Sequence, residues 1–188
     1  MKRGRPDYFS RRARAEGYAS RAAYKLMDLQ RRFKVLRLGH RVLELGAAPG
    51  GWTRYVLETV RATGSVVAVD LQPLDLRAAN LQVVQGDFRS AEVRDRLATA
   101  APFNAILSDA APATTGNRLV DTAASAALVA AVLELADLMV NHGRLAIKVF
   151  QGEGFPELLA SARARFPGLR VAKPSASRSE SMEVYLVV

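Results

Sequence analysis

A chain of 188 residues, 49% apolar and 24% charged, is long enough for one α/β domain with a full core and too short for two ordinary ones. It has no cysteine, which excludes disulfides and thiolate metal sites, and no apolar run of about 18 residues, so no membrane span is expected. The net charge of +9 sits at one end: residues 1–40 hold twelve Lys or Arg against three acids, and the remainder holds fifteen of each sign.

That N-terminal surplus marks a leader, residues 1–19, that binds a polyanion, with nucleic acid favoured over anionic lipid. Tyr8, Phe9, Tyr18 and Tyr24 are interleaved with its basic residues and could stack on unpaired bases. The Arg-rich start has no apolar segment of the secretory kind, and the cytoplasm is the expected compartment. From residue 20 to 188 a single domain is expected. Ser20 suits the N-cap of a helix running to about Phe33, with Tyr24 or Lys25, Leu26, Leu29 and Phe33 near one stripe, and Gly39 suits its stop.

Apolar runs then predict strands at 41–45, 65–69, 81–84, 104–107 and 144–149, with two more near 169–172 and 182–187. Helices are predicted at about 51–61, 90–98, 119–140 and 154–165. Strand and helix alternating in this way imply a mostly parallel sheet covered on both faces.

The loop after the first strand, Glu44-Leu45-Gly46-Ala47-Ala48-Pro49-Gly50-Gly51-Trp52, is the most informative segment. Glycine at 46, 50 and 51 lets backbone approach a ligand closely. The spacing is not the G-x-G-x-x-G that cradles a pyrophosphate. A loop opened by Glu44 better suits a ligand with a cationic amino-acid end and no phosphate, such as S-adenosylmethionine.

Ligands of open parallel sheets sit beyond the carboxyl ends of the strands. The second strand ends at Asp70, 24 positions after Gly46, near the spacing of an acid that accepts from ribose hydroxyls. The third ends in Gln85-Gly86-Asp87-Phe88, where the acid could read an adenine amino group or merely cap the next helix. The fourth ends in Ser108-Asp109. Lys148 interrupts an otherwise apolar fifth strand, where a lysine costs several kcal/mol unless paired or deprotonated. His40 and His142 look like isolated loop residues, and no metal is expected.

In these runs the chain resembles the FtsJ (RrmJ, RlmE) family of ribose 2′-O-methyltransferases, in its bacterial large-subunit rRNA branch. The matching segments are Gly17-Tyr18-Ala19-Ser20-Arg21-Ala22-Ala23-Tyr24-Lys25-Leu26, Leu45 to Trp52, Gln85 to Phe88 and Ser108-Asp109. Lys148 to Phe155 and Lys173-Pro174 through Ser177-Arg178 to Glu183-Val184-Tyr185 complete them. The resemblance implies a Rossmann-like class I methyltransferase with a mostly parallel seven-stranded sheet. It also implies S-adenosylmethionine as cofactor and a catalytic tetrad of Lys25, Asp109, Lys148 and Glu183. Together with the loop and the strand ends, it gives Gly46, Gly50, Gly51, Trp52, Asp70, Asp87 and Asp109 as cofactor-binding residues.

The substrate implied is RNA, not DNA, since only RNA carries a 2′-hydroxyl. A uridine of the large-subunit (23S) rRNA A-loop, met in a ribosomal particle by a monomeric enzyme, is the first expectation. A tRNA anticodon-loop ribose is the alternative. Two departures touch substrate choice: Ala110-Ala111-Pro112-Ala113 stands where the family often has Met-Ala-Pro-Asn, and the basic leader is shorter than in some relatives. Two other classes are weighed against these. A nicotinamide-dependent dehydrogenase is disfavoured by the missing G-x-G-x-x-G, and a non-catalytic RNA-binding module by the intact tetrad.

Overall fold

Apart from Glu44, segments 42–45, 66–69 and 105–107 are apolar with little alternation, the pattern of strands covered on both faces. A computed structural model of the chain describes residues 8–178 and 180–188 and places these segments at the centre of one sheet. In chain order the elements are α1 (Tyr8–Ala15), α2 (Ala22–Phe33), β1 (Arg41–Leu45), α3 (Gly51–Val60), β2 (Ser65–Asp70) and β3 (Leu81–Gln85). They continue with α4 (Ala91–Ala100), β4 (Phe103–Ser108), α5 (Arg118–Glu134), a 3-10 turn (Leu135–Leu138) and β5 (Met139–Phe150). The chain closes with α6 (Phe155–Arg165), β6 (Arg170–Ala172) and β7 (Glu183–Val187).

The seven strands lie in the order β3-β2-β1-β4-β5-β7-β6. Neighbours from β3 to β5 pair in parallel, while β7 runs antiparallel to both β5 and β6. Side-chain parity divides the core in two. Leu43, Leu45, Ile106 and Leu145 pack beneath α4, α5 and α6. Val42, Ala105, Leu107, Ala146 and Tyr185 pack beneath Leu26 and Leu29 of α2 and Trp52, Val56 and Val60 of α3. The expected sheet with helices on both faces is what forms.

Several boundaries differ from expectation. The leader is not featureless where it is described: Phe9 and Ala13 of α1 pack on Tyr24 and Ala176, and Tyr24 donates to Glu16 at 2.8 Å. Of the four aromatics expected to meet bases, Tyr24 is buried, Phe9 and Tyr18 are half-buried, and Tyr8 alone is 61% exposed. Residues 1–7, the rest of the charged part of that leader, lie outside the described residues. Helix α2 ends on Lys34, in the left-handed region at φ 54°, five residues before Gly39. The helix predicted to reach 140 tightens at Leu135, and β5 starts at Met139. A register shift between Phe103↔Met139 and Ala105↔Arg144 absorbs the residues around His142. The segment Arg118–Leu138 is long and apolar enough to cross a bilayer by length and composition; here Val129, Val132, Leu133 and Leu135 bury it against the sheet.

Leu107 is fully buried on the central strand, whereas Val83 on edge strand β3 is 36% exposed. Leu107→Ala is expected to lower unfolding free energy by about 2–5 kcal/mol in urea titrations, and Val83→Ala by less than about 1 kcal/mol.

Candidate active site

The carboxyl ends of β1 to β4 are laced together by backbone hydrogen bonds that leave a shaped gap between them. Gly46 and Ala47 N–H donate to Val69 O, Gly86 N–H to Asp70 O and Asp109 N–H to Leu45 O, at 2.8–3.2 Å. Gly46 has φ +75°, and a Cβ there would come within 2.5 Å of the Ala110 backbone nitrogen, so no side chain fits. The gap opens as a cavity of about 230 Å³ walled by Gly46, Asp70, Asp87, Phe88, Asp109 and Leu128, among others.

Each acid on this wall is held by the chain. Asp70 Oδ2 accepts from Ala48 N–H and Oδ1 from Gln72 N–H, both at 2.8 Å. Arg89 closes a fork on Asp87, with Nη2 at 2.7 Å from Oδ2, and holds that carboxyl below its ordinary range. Carboxylate oxygens carry two lone pairs, so both acids keep acceptor capacity toward the cavity.

At the same sheet edge lie two buried ion pairs. Lys25 Nζ meets Glu183 Oε2 at 2.7 Å. Lys148 Nζ meets Asp109 Oδ1 at 3.1 Å and also donates to the Asp109 carbonyl. Lys25, Lys148 and Glu183 are each 8% exposed. Their elements explain the meeting. Lys148 faces Tyr185, and Phe150 faces Glu183, across the antiparallel β5–β7 ladder, so Lys148 and Glu183 point to one face. Helix α2 covers that face and brings Lys25; Asp109 follows the adjacent β4. All four residues of the expected tetrad thus come together. Asp109 belongs to both the cluster and the cavity wall.

Of the expected cofactor residues, Gly46, Asp70, Asp87 and Asp109 line the cavity. Gly50, Gly51 and Trp52 do not; they form the first turn of α3, which has no side-chain cap. The Trp52 side chain is 2% exposed and its indole N–H donates to Ala22 O at 2.7 Å, so its ring serves packing.

Glu44 departs from the role that opened the sequence argument. It is 1% exposed, lies under the loop and accepts from Thr53 Oγ1 at 3.1 Å, with Oε2 lacking a partner among the described residues. Strand parity turns it toward α3, and it does not line the cavity. Burial pushes its carboxyl up to about 8, with Asp109 and Asp70 adding to the rise.

Two residues of the site had no role from sequence. Ser177 Oγ donates to Glu183 Oε1 at 2.8 Å, and Tyr185 donates to Asp109 Oδ1 at 2.7 Å. Both fall in segments quoted for the resemblance, but nothing in their spacing distinguishes them from a loop serine and a core tyrosine.

The chain matches FtsJ-like methyltransferases over residues 18–188. It is 49% identical over 185 residues to ribosomal RNA large subunit methyltransferase E of Treponema pallidum, covering 97% of this chain and 92% of that one. The protein of the same description from Legionella pneumophila is 40% identical over 185 residues, 96% of this chain and 89% of that one. Among solved structures, a ribosomal RNA methyltransferase from Plasmodium falciparum aligns with a TM-score of 0.80 at 26% identity, covering 90% of this chain and 96% of that one. Aeropyrum pernix fibrillarin with bound S-adenosyl-L-methionine aligns at 0.59 and 14% identity, over 90% of this chain and 74% of that one, a likeness of fold. The architecture is that of class I S-adenosylmethionine-dependent methyltransferases.

Because its folded carboxyl titrates above the ordinary value, Glu44 binds a proton more tightly in the native state than in the unfolded chain. Its contribution is full below about 4.5 and is lost as pH rises to about 8. Urea unfolding at several pH values should show this decline, at most about 1.4 kcal/mol per pH unit, and Glu44→Gln should flatten it.

Proposed function

The chain belongs to the FtsJ-like methyltransferase family, and on that premise we propose that it methylates a ribose 2′-hydroxyl of large-subunit ribosomal RNA. S-adenosylmethionine is the family's methyl donor. The observation that carries the reading is that Asp109 both walls the carboxylate-lined cavity and holds the buried Lys148. A donor site and a polar group able to handle a hydroxyl proton therefore share one side chain.

The residues present fit the donor. A glycine-floored cleft admits a flat adenosine, and the Asp70 and Asp87 carboxylates suit ribose hydroxyls and an amino group. The floor is Gly46, and the walls carry Asp70, Asp87 and Asp109. When bound, S-adenosylmethionine supplies an electrophilic methyl on a sulfonium leaving group.

The chain's own part is to place and deprotonate the attacking oxygen. An ammonium has three N–H donors. On Lys148 one is given to the Asp109 carbonyl and a second lies beside the ion-paired Asp109 carboxylate at 3.1 Å, and the third has no partner among the described residues. That third position is where the 2′-oxygen is held. To take its proton Lys148 must be the neutral amine, whose lone pair then accepts the hydroxyl hydrogen and leaves an ammonium paired with Asp109, while Lys25 and Glu183 hold the neighbouring wall with no net charge. Holding the reacting atoms in line is worth about 7–11 kcal/mol in well-oriented systems, so positioning carries much of the rate.

All four side chains come from one chain, which supports action as a monomer. The substrate places the protein in the cytoplasm with ribosomal particles, and an A-loop uridine is the nucleotide proposed. Arg11 and Arg14 lie exposed on α1, which packs beside Tyr24 and therefore next to Lys25. The leader is read as the arm that holds the RNA backbone.

Methyl transfer from radiolabelled S-adenosylmethionine to ribosomal particles, with mapping of the modified ribose, tests the whole reading; transfer to tRNA alone would redirect it. Lys148→Ala should cut the rate by about 10²–10⁴-fold with cofactor affinity within a few fold. Asp70→Ala should instead weaken cofactor binding about tenfold or more by calorimetry. Removing both arginines, Arg11→Ala with Arg14→Ala, should weaken RNA binding and lower the slope of log affinity against log salt by about two.

A further inference from the structure

Two aromatic side chains connect the halves of the site, and the reaction as described leaves both without a task. Tyr185 is fully buried and faces Lys148 across the β5–β7 ladder. Its hydroxyl donates to Asp109 Oδ1 at 2.7 Å, the same oxygen that Lys148 Nζ meets at 3.1 Å. A carboxylate in a loop can turn about its terminal torsion; a second donor on the same oxygen removes that freedom. Trp52 lies against Tyr185 with ring centroids 5.8 Å apart, inside the range of favourable aromatic pairs. Its indole N–H reaches Ala22 O, on the first residue of α2 and three positions before Lys25. A continuous run from Asp109 through Tyr185 and Trp52 to Ala22 thus joins one ion pair to the helix that carries the other.

Filling space does not need the Tyr185 hydroxyl, because a phenylalanine ring would occupy the same volume against Trp52. Burial, then the charges of Asp109 and Glu183, push the phenol well above its ordinary value, so the hydroxyl stays a donor. Complete burial keeps Tyr185 from touching a substrate.

We infer that Tyr185 is a positioning residue for methyl transfer: it fixes the Asp109 carboxylate that aims Lys148, and Trp52 braces it against α2 so that the two lysine–carboxylate pairs keep their spacing. This rests on the reading of the chain as a ribose methyltransferase. Asp109 is faced by Lys148 from β5, Tyr185 from β7 and the buried Glu44 from β1, while the charge of Glu183, paired with Lys25, acts on the phenol.

The test is steady-state kinetics of Tyr185→Phe beside wild type on ribosomal particles. A misplacement of about 1 Å can cost about 100-fold, so kcat is expected to fall about 10- to 100-fold. KM for RNA and Kd for S-adenosylmethionine should stay within about twofold, because neither is bound by the hydroxyl. A kcat within about twofold of wild type overturns the inference. So does a loss of activity that only tracks lost cofactor binding. Should Tyr185→Phe fail to fold, Trp52→Phe decides, since it keeps a ring against Tyr185 and removes the donor to Ala22. A fall confined to kcat supports the brace, and an unchanged kcat overturns it. Wild type run in parallel separates the two readings. If wild type methylates no ribosomal RNA, the function assignment fails; if it does and Tyr185→Phe equals it, only the positioning role fails.

Discussion

Two lysines can be buried at one sheet edge only if each ammonium is compensated, because an isolated buried charge costs several kcal/mol. Here the compensation is pairwise, Lys25 with Glu183 at 2.7 Å and Lys148 with Asp109 at 3.1 Å. The four residues belong to α2, β7, β5 and the turn after β4, so the pairs form only when the whole fold is in place. The decisive element is β7. It runs against β5, which sets its first residue, Glu183, opposite Phe150, the last of β5. A parallel strand in that slot would carry its first residue to the far edge of the sheet, and Lys25 would lose its counter-charge. The reversal of one strand in an otherwise parallel sheet is therefore a condition of the site.

The same constraint explains what could be read from residues alone. Lys148 was visible because it breaks an apolar strand, and Asp70, Asp87 and Asp109 because they close strands whose ends must face a common crevice. Lys25 carried no such mark: beside Leu26 on a half-buried helix, it looks like any stripe-edge lysine with its stem on the core. Glu183 looked like a polar strand start, since side-chain alternation gives a strand's faces but not its direction. Both reached the expected tetrad through resemblance. Helix α1 escaped notice for a different reason. Its eight residues include three arginines and little apolar surface, and what orders it is the docking of Phe9 and Ala13 against Tyr24 and Ala176. The end of α5 falls short of the expected 140 because the mostly apolar pattern continues past Glu134 and Asp137 through the 3-10 turn into β5, with no Gly or Pro before Gly143.

Glu44 shows how parity overrides proximity. It sits two residues before the cofactor loop, and its charge seemed available to a cationic ligand. Yet alternation along β1 puts Val42 and Glu44 on the α3 side, where Thr53 offers hydrogen bonds from side chain and backbone and no cation. The negative face of the cavity comes instead from three acids beyond the strand ends, where polar atoms still reach solvent. Asp87 illustrates the difference: Arg89 holds it below its ordinary range, while burial pushes Glu44 up to about 8. The cavity's charge is thus set by residues the loops present, and the strand residue beneath is free to titrate with folding.

On the proposed function, the packing of α1 also limits how RNA can be recognised from that side. Phe9, Tyr18 and Tyr24 are committed to each other and to α2, with ring centroids 5.6 and 6.2 Å from Tyr24, and the hydroxyls of Tyr18 and Tyr24 are given to Glu58 and Glu16. Guanidinium groups dominate what the helix turns outward. Such groups grip phosphates, and phosphate contacts set the register of a strand while carrying no base information. Selection of one ribose must then come from geometry: the fixed offset between the α1 arm and Lys148, and the capacity of the RNA to span it. A rigid offset of that kind favours a substrate whose shape is already defined, which is a property of an assembled particle more than of a free strand.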